Sequence, residues 1–335
     1  MRTQTYDLYG LGNALVDMEY QIEDSFLADH DIAKGHMTLV DESRLDALVA
    51  DLEEPSPTRM SGGSAANTII AVQAFGAATF YSCKVASDDT GAFFLNDLGA
   101  AGIATNPNAR SESGTSGCCL VLITPDAERS MNTCLGISSN LSESEIDESA
   151  LANSRYFYVE GYLSSSERSM AAAIACRELA ESGNVKTAVS LSDPSMVEFF
   201  REPLEKILGN GVDHLFCNEE EALAWAGTDR LDVAIAELRD IGKNLNITLG
   251  SKGCMVVGLH DTHLVEGYPA DAVDTTGAGD MYAGGCLYGW CAGMDARQAA
   301  ALGNYSAACL VQQLGARLRK SADYQTTLQD FLKKN

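Results

Sequence analysis

Positive charge is scarce in this chain of 335 residues: 23 Lys and Arg stand against 47 Asp and Glu, a formal net charge of −24. So acidic a surface disfavours nucleic acid and anionic membrane as partners, since both demand a basic face. Long apolar runs are missing as well. None approaches the roughly 20 residues that a membrane span needs. Ten cysteines are scattered without a Cys-x-x-Cys, and only Cys118-Cys119 are adjacent. That spacing argues against a zinc cage or a dithiol redox motif, and a large chain has no need of disulfide staples. Met1 to Leu11 carry acidic and polar residues and no signal-peptide core. Reduced thiols in a cytoplasmic protein are the expectation. Internal repeats, low-complexity segments and linkers are also lacking, so residues 1–335 are expected to form one domain.

What remains is the composition of a soluble globular enzyme, 46% hydrophobic and 21% charged. Short apolar runs at 6–11, 78–84, 155–159, 187–191, 214–217, 247–249 and 254–257 alternate with helical stretches. The helical pattern covers 88–101, 166–182 and 295–313, with an acidic surface helix at 41–54 ended by Pro55 and Pro57. Such alternation predicts an α/β fold with a mainly parallel sheet and helices on both faces. Two segments, at about 17–40 and 113–136, are too β-like and too polar for that sheet. In the second, 115–124 and 130–135 form a hairpin around Pro125 to Arg129.

The densest chemical signal is Val273-Asp274-Thr275-Thr276-Gly277-Ala278-Gly279-Asp280, read as a strand end, a tight turn and a helix start. Nothing larger than a methyl shields the amides of Gly277, Ala278 and Gly279. Unpaired amides at a helix N-terminus, aided by its dipole, are a ready site for an anion. Asp280 would repel a bound phosphate, unless its task is to take a proton from a hydroxyl attacking that phosphate. The plainer alternative is an Asp that merely stabilises a helix start. A second small-residue segment, Ser61-Gly62-Gly63-Ser64-Ala65-Ala66-Asn67-Thr68, precedes another apolar helix and permits close backbone approach. Asn67 can both donate and accept, which suits a pair of ribose hydroxyls. Gly10-Leu11-Gly12-Asn13-Ala14-Leu15 is not a dinucleotide fingerprint, because Leu15 stands where the third glycine belongs. That weakens a dehydrogenase reading.

Asp274 to Asp280 resembles the C-terminal signature of the ribokinase-like (PfkB) family of carbohydrate and nucleoside kinases. Ser61 to Thr68 resembles the family's N-terminal Gly-Gly signature. The two occur in the family's order, and the likeness covers nearly the whole chain. The resemblance implies a ribokinase-like sheet with a small β-sheet lid, built here from the insertions at 17–40 and 113–136. It implies transfer of the γ-phosphoryl group of ATP to a primary hydroxyl, with Mg²⁺. Asp280 would be the base, and the Gly277, Ala278 and Gly279 amides the anion hole. On the acceptor side it implies Asn13, Asp17, Gly63, Ser64, Asn67 and the aromatic Tyr162. On the nucleotide side it implies Asn218, Thr248, Gly250, Lys252, Gly253, Thr275 and Asn304. Glu221, in an Asn-x-x-Glu pattern with Asn218, would reach Mg²⁺ through water, although three acids at a helix start also serve the helix dipole. Arg129, in the lid hairpin, would reach the transferred phosphate or simply be a solvated turn residue. Some relatives bind potassium beside the anion hole, which would place it at Asp274 and the Thr276 carbonyl.

The acceptor is less determined. Residues 1–70 hold 13 acids and only four Lys or Arg (Arg2, Lys34, Arg44 and Arg59), which favours a neutral acceptor over a phosphosugar. Ser64 and Tyr162 resemble nucleoside kinases, whereas Thr276 is the sugar-kinase form. A purine nucleoside, adenosine first, is expected at its 5′-hydroxyl. Ribose, fructose, 2-keto-3-deoxygluconate or another free sugar is the alternative within the family. A catalytically silent sugar- or nucleoside-binding protein is the alternative from another class, and an intact Asp280 argues against it. Lids in this family stay free or pair, so monomer and homodimer both stay open.

Overall fold

The computed structural model describes residues 5–52, 58–126 and 128–334. Its strands are β1 (Tyr6–Leu11), β2 (Leu15–Gln21), β3 (Met37–Leu39), β4 (Thr58–Gly62), β5 (Thr79–Ser82), β6 (Ala104–Thr105) and β7 (Gly117–Ile123). They continue as β8 (Arg129–Cys134), β9 (Ser154–Glu160), β10 (Lys186–Ser190), β11 (Val212–Asn218), β12 (Gly242–Thr248), β13 (Gly253–Val257) and β14 (Thr262–Glu266).

Nine strands form one sheet in the order β14-β13-β12-β11-β10-β9-β1-β5-β6. Every pairing from β6 to β12 is parallel, and β13 and β14 add antiparallel strands at one edge. The central strands are buried on both faces, which is why they read as unbroken apolar runs rather than alternating ones. One apolar cluster packs helix Glu167–Ser182 on one face; a second packs helices Ser64–Phe75 and Ala278–Cys291 on the other. The fold is therefore ribokinase-like.

A second sheet, in the order β3-β8-β7-β2-β4, is the one expected as a lid. β4 was not visible in the sequence: Thr-Arg-Met-Ser-Gly has no period-2 alternation, and its place is fixed by antiparallel pairing with β2. The expected surface helix is Glu42–Ala50, with Asp41 accepting from the Arg44 N–H at its start. Pro55 and Pro57, the expected stop, lie outside the described residues, as do Met1 and Ala127. One reading is corrected. Val273 does not end a strand: β14 stops at Glu266, and Val273 is half exposed in a non-regular segment. Its backbone is held instead by the Val311 carbonyl, which accepts from Val273 N at 2.7 Å and Asp274 N at 3.1 Å.

Candidate active site

The carboxyl ends of β9 to β12 open into a cavity of about 410 Å³, closed on the other side by the second sheet and the start of helix Ala278–Cys291. A crevice at the ends of parallel strands is where this architecture holds ligands. Asp280 lies inside it. Ser64 Oγ donates to Asp280 Oδ1 at 2.6 Å, and Asn67 Nδ2 donates to Oδ2 at 3.2 Å. Two segments more than 200 residues apart thus meet at one carboxylate. Burial pushes Asp280 up to about 7, against the downward pull of those two hydrogen bonds.

Gly277 caps the helix with φ 73°, a left-handed conformation that glycine adopts without strain. A side chain there would also run into the Ala316 backbone. Among the described residues no hydrogen bond is made to the Gly277 or Gly279 amide. The Ala278 amide, expected as the third anion-hole donor, instead closes the turn on the Thr275 carbonyl at 3.1 Å. This turn geometry spends one of the three donors. A Cβ on Gly279 meets nothing within 4 Å, because it would point into the cavity. Gly279→Ala is therefore expected to leave thermal stability within about 0.5 kcal/mol while lowering kcat, which a melting curve and an ADP-release assay check together.

The acceptor-side residues Asn13, Asp17, Gly63, Ser64, Asn67 and Tyr162 all line the cavity. Burial raises Asp17 to about 7, with Arg129 and Arg317 pulling it down. Asn13 is held in place: its amide group donates one N–H to Glu160 at 2.9 Å and accepts from Ser138 Oγ at 3.2 Å. Glu160 is the residue that sequence reasoning missed. It is 1% exposed and accepts from Asn13 N at 2.8 Å, Asn13 Nδ2 at 2.9 Å and Ala65 N at 2.6 Å. It ties the turn after β1 to the first turn of helix Ser64–Phe75 and so positions Ser64. The available signal was an acid at the end of an otherwise apolar strand.

On the nucleotide side Asn218, Thr248 and Thr275 line the cavity; Gly250, Lys252, Gly253 and Asn304 do not. Lys252 is exposed on a short 3-10 turn. Asn304 donates to the Val265 and Glu266 carbonyls at 3.0 and 3.1 Å, fastening its helix to β14. Asn218 and Glu221 form a reciprocal capping box, and burial raises Glu221 to about 8. Among the described residues no cluster of three metal-ligating side chains occurs. Arg129 is no solvated turn residue: it is buried, 2.7 Å from Glu19 and 3.3 Å from Asp274. Both Asp274 carboxylate oxygens accept backbone N–H groups, from Thr276 at 2.9 Å and Gly315 at 2.8 Å. Each of these oxygens keeps a second lone pair, and the Arg129 guanidinium is the charged neighbour of the group.

The chain is similar along nearly its whole length to known kinases. It is 28% identical to adenosine kinase of Saccharomyces cerevisiae over 332 residues, covering 93% of this chain and 96% of that one. The crystal structure of adenosine kinase from Sinorhizobium meliloti superposes with a TM-score of 0.88 at 33% identity, covering 97% and 99%. A probable sugar kinase from Rhizobium etli CFN 42 superposes with a TM-score of 0.89 at 30% identity, covering 98% and 99%. The model of the pfkB family of carbohydrate kinases matches residues 34–322. With that match and a half-buried carboxylate at an amide-lined helix start, the chain is a phosphotransferase of the PfkB family.

Proposed function

We propose that the protein transfers the γ-phosphoryl group of ATP to the 5′-hydroxyl of a purine nucleoside, adenosine first. The observation that carries the reaction is Asp280, half-buried beside the free Gly277 and Gly279 amides and aimed by Ser64 and Asn67. Asp280 takes the hydroxyl proton as the acceptor oxygen attacks, and the amides stabilise charge developing on the phosphoryl oxygens. A pKa near neutrality suits a base that must bind and release a proton in each turnover.

Asp17 accepts from the sugar hydroxyls. Leu15, Met37, Leu39, Met131 and Leu135 of the second sheet and its neighbouring loop face Tyr162 and Met196 across the cavity. That apolar gap suits a flat base better than a free sugar, and relatives named adenosine kinase support it. Mg²⁺ fits this site in the way its chemistry demands, through phosphates, water and one or two carboxylates. Glu221 is the carboxylate that would hold it through water, beside Asp193, where burial and the neighbouring Asp193 and Glu220 carboxylates raise its pKa. When bound, the ion neutralises charge on the phosphate chain. A sugar acceptor is the second reading, carried by Thr276 and by the Rhizobium etli neighbour's name. An ADP-release screen of adenosine, inosine, guanosine, ribose, fructose and 2-keto-3-deoxygluconate decides between them. Preference for a free sugar or keto acid contradicts the nucleoside reading.

The carboxylate must be ionised to act as a base, so kcat is expected to rise with pH and level off above about 7. Ser64→Ala removes a hydrogen bond that favours the ionised form, and should move that limb up by roughly 0.5–1 unit. Asp17 titrates in the same range, but its ionisation acts on acceptor binding, so KM reports it separately. A limb that stays in place in Ser64→Ala contradicts the assignment to Asp280.

A further inference from the structure

Strand register sets one residue from each of four neighbouring strands in a row across the sheet: Glu160, Ser190, Phe216 and Asn246, with Val256 next on β13. In-register partners share a face, and the first four line the cavity. Between Phe216 and Val256 an apolar residue is expected. Asn246 is instead 1% exposed, and neither its amide nitrogen nor its amide oxygen has a hydrogen-bond partner. Tyr282, two residues beyond Asp280, also lines the cavity and is 2% exposed with its hydroxyl unpartnered. Its ring stands edge-on to Phe216 at 6.2 Å, and its hydroxyl meets the thiols of Cys254 and Cys286, which bond weakly. Native folds leave few buried polar groups unsatisfied. Leucine and phenylalanine would fill the same space without that loss.

An orphaned strand amide and a helix hydroxyl with only weak thiol partners thus belong to residues that line one cavity. Thr248 lies two residues along β12 from Asn246, on the same face and nearer the rim. No Lys, Arg or His is found among the described residues that line the cavity. A cation at this depth would pair with Asp280 and depress its pKa, weakening the base. Neutral donors avoid that.

We infer that Asn246, Tyr282 and Thr248 form a neutral hydrogen-bonding subsite at the cavity floor, which takes phosphate oxygens of the nucleotide. The inference rests on the ATP-dependent reading above. The Asn246 amide N–H groups and the two hydroxyls donate to the phosphate chain, and Asn246 Oδ1 accepts from water in its hydration shell.

The test uses Asn246→Leu and Tyr282→Phe in the full chain, titrated calorimetrically with a non-hydrolysable ATP analogue and Mg²⁺. Each variant is expected to bind the analogue about 3- to 10-fold more weakly, as for one lost neutral hydrogen bond. KM for ATP should rise in parallel while KM for the acceptor holds, and Tm should stay level or rise. Unchanged nucleotide binding in both variants overturns the inference, as does a change confined to the acceptor's KM. Should Asn246→Leu not fold, the Tyr282→Phe titration decides. Should the parent bind the analogue but phosphorylate no nucleoside, the acceptor reading fails and the titration still decides the subsite.

Discussion

Asp280→Asn is expected to lower kcat by about 10²- to 10⁴-fold, the usual contribution of a positioned general base. The substitution keeps the size of the side chain and an oxygen for the Ser64 hydroxyl, and Asn67 can turn its unpaired Oδ1 to accept from the new amide. What it removes is the lone pair that takes the acceptor proton. Binding of ATP and acceptor should therefore be retained within a few fold. The variant's residual kcat should be independent of pH, because asparagine does not titrate, so the loss is largest on the parent's plateau above about 7. A binding protein with no chemistry would show no turnover in the parent either. A parent that turns over and an Asp280→Asn variant that turns over equally well would remove the base from the mechanism.

The second large effect is on the fold. Glu160→Ala is expected to destabilise the protein by on the order of 3–5 kcal/mol, since three buried N–H donors lose their acceptor at once. Asn13 N and Nδ2 and Ala65 N all bond to this one side chain, which is 1% exposed. Activity should fall beyond what instability explains: Ala65 adjoins Ser64, which aims Asp280. Denaturant unfolding gives the first number, and kcat at a temperature where the variant is fully folded gives the second. A loss below about 1 kcal/mol, the scale of a surface change, would mean that the carboxylate is not holding the two segments together.

The two halves of the site were legible in the sequence for different reasons. Gly277 to Asp280 and Gly63 to Asn67 are local devices, in which small residues beside a helix start advertise exposed amides before any tertiary contact exists. The parallel sheet was legible because its strands are buried on both faces. Glu160 escaped notice because its role is wholly tertiary: nothing near residue 160 shows that residues 13 and 65 will point their N–H groups at it. Lys252 and Asn304 are expected on the nucleotide side by position; one is exposed and the other fastens its helix to β14, and neither lines this cavity. β4 was hidden for a related reason, since pairing with β2 rather than its own composition makes it a strand. The acidic segments mislead less, because Asn218 and Glu221 cap their helix as any such pair would while still facing the cavity.

The most direct test of the central claim is to incubate the protein with Mg²⁺, adenosine and ATP labelled in its γ-phosphoryl group, and to identify the labelled product. The expected result is label in adenosine 5′-monophosphate, formed one-for-one with ADP and lost in Asp280→Asn. Label that stays in ATP or appears as inorganic phosphate with adenosine, but enters a free sugar when one is supplied, would contradict it.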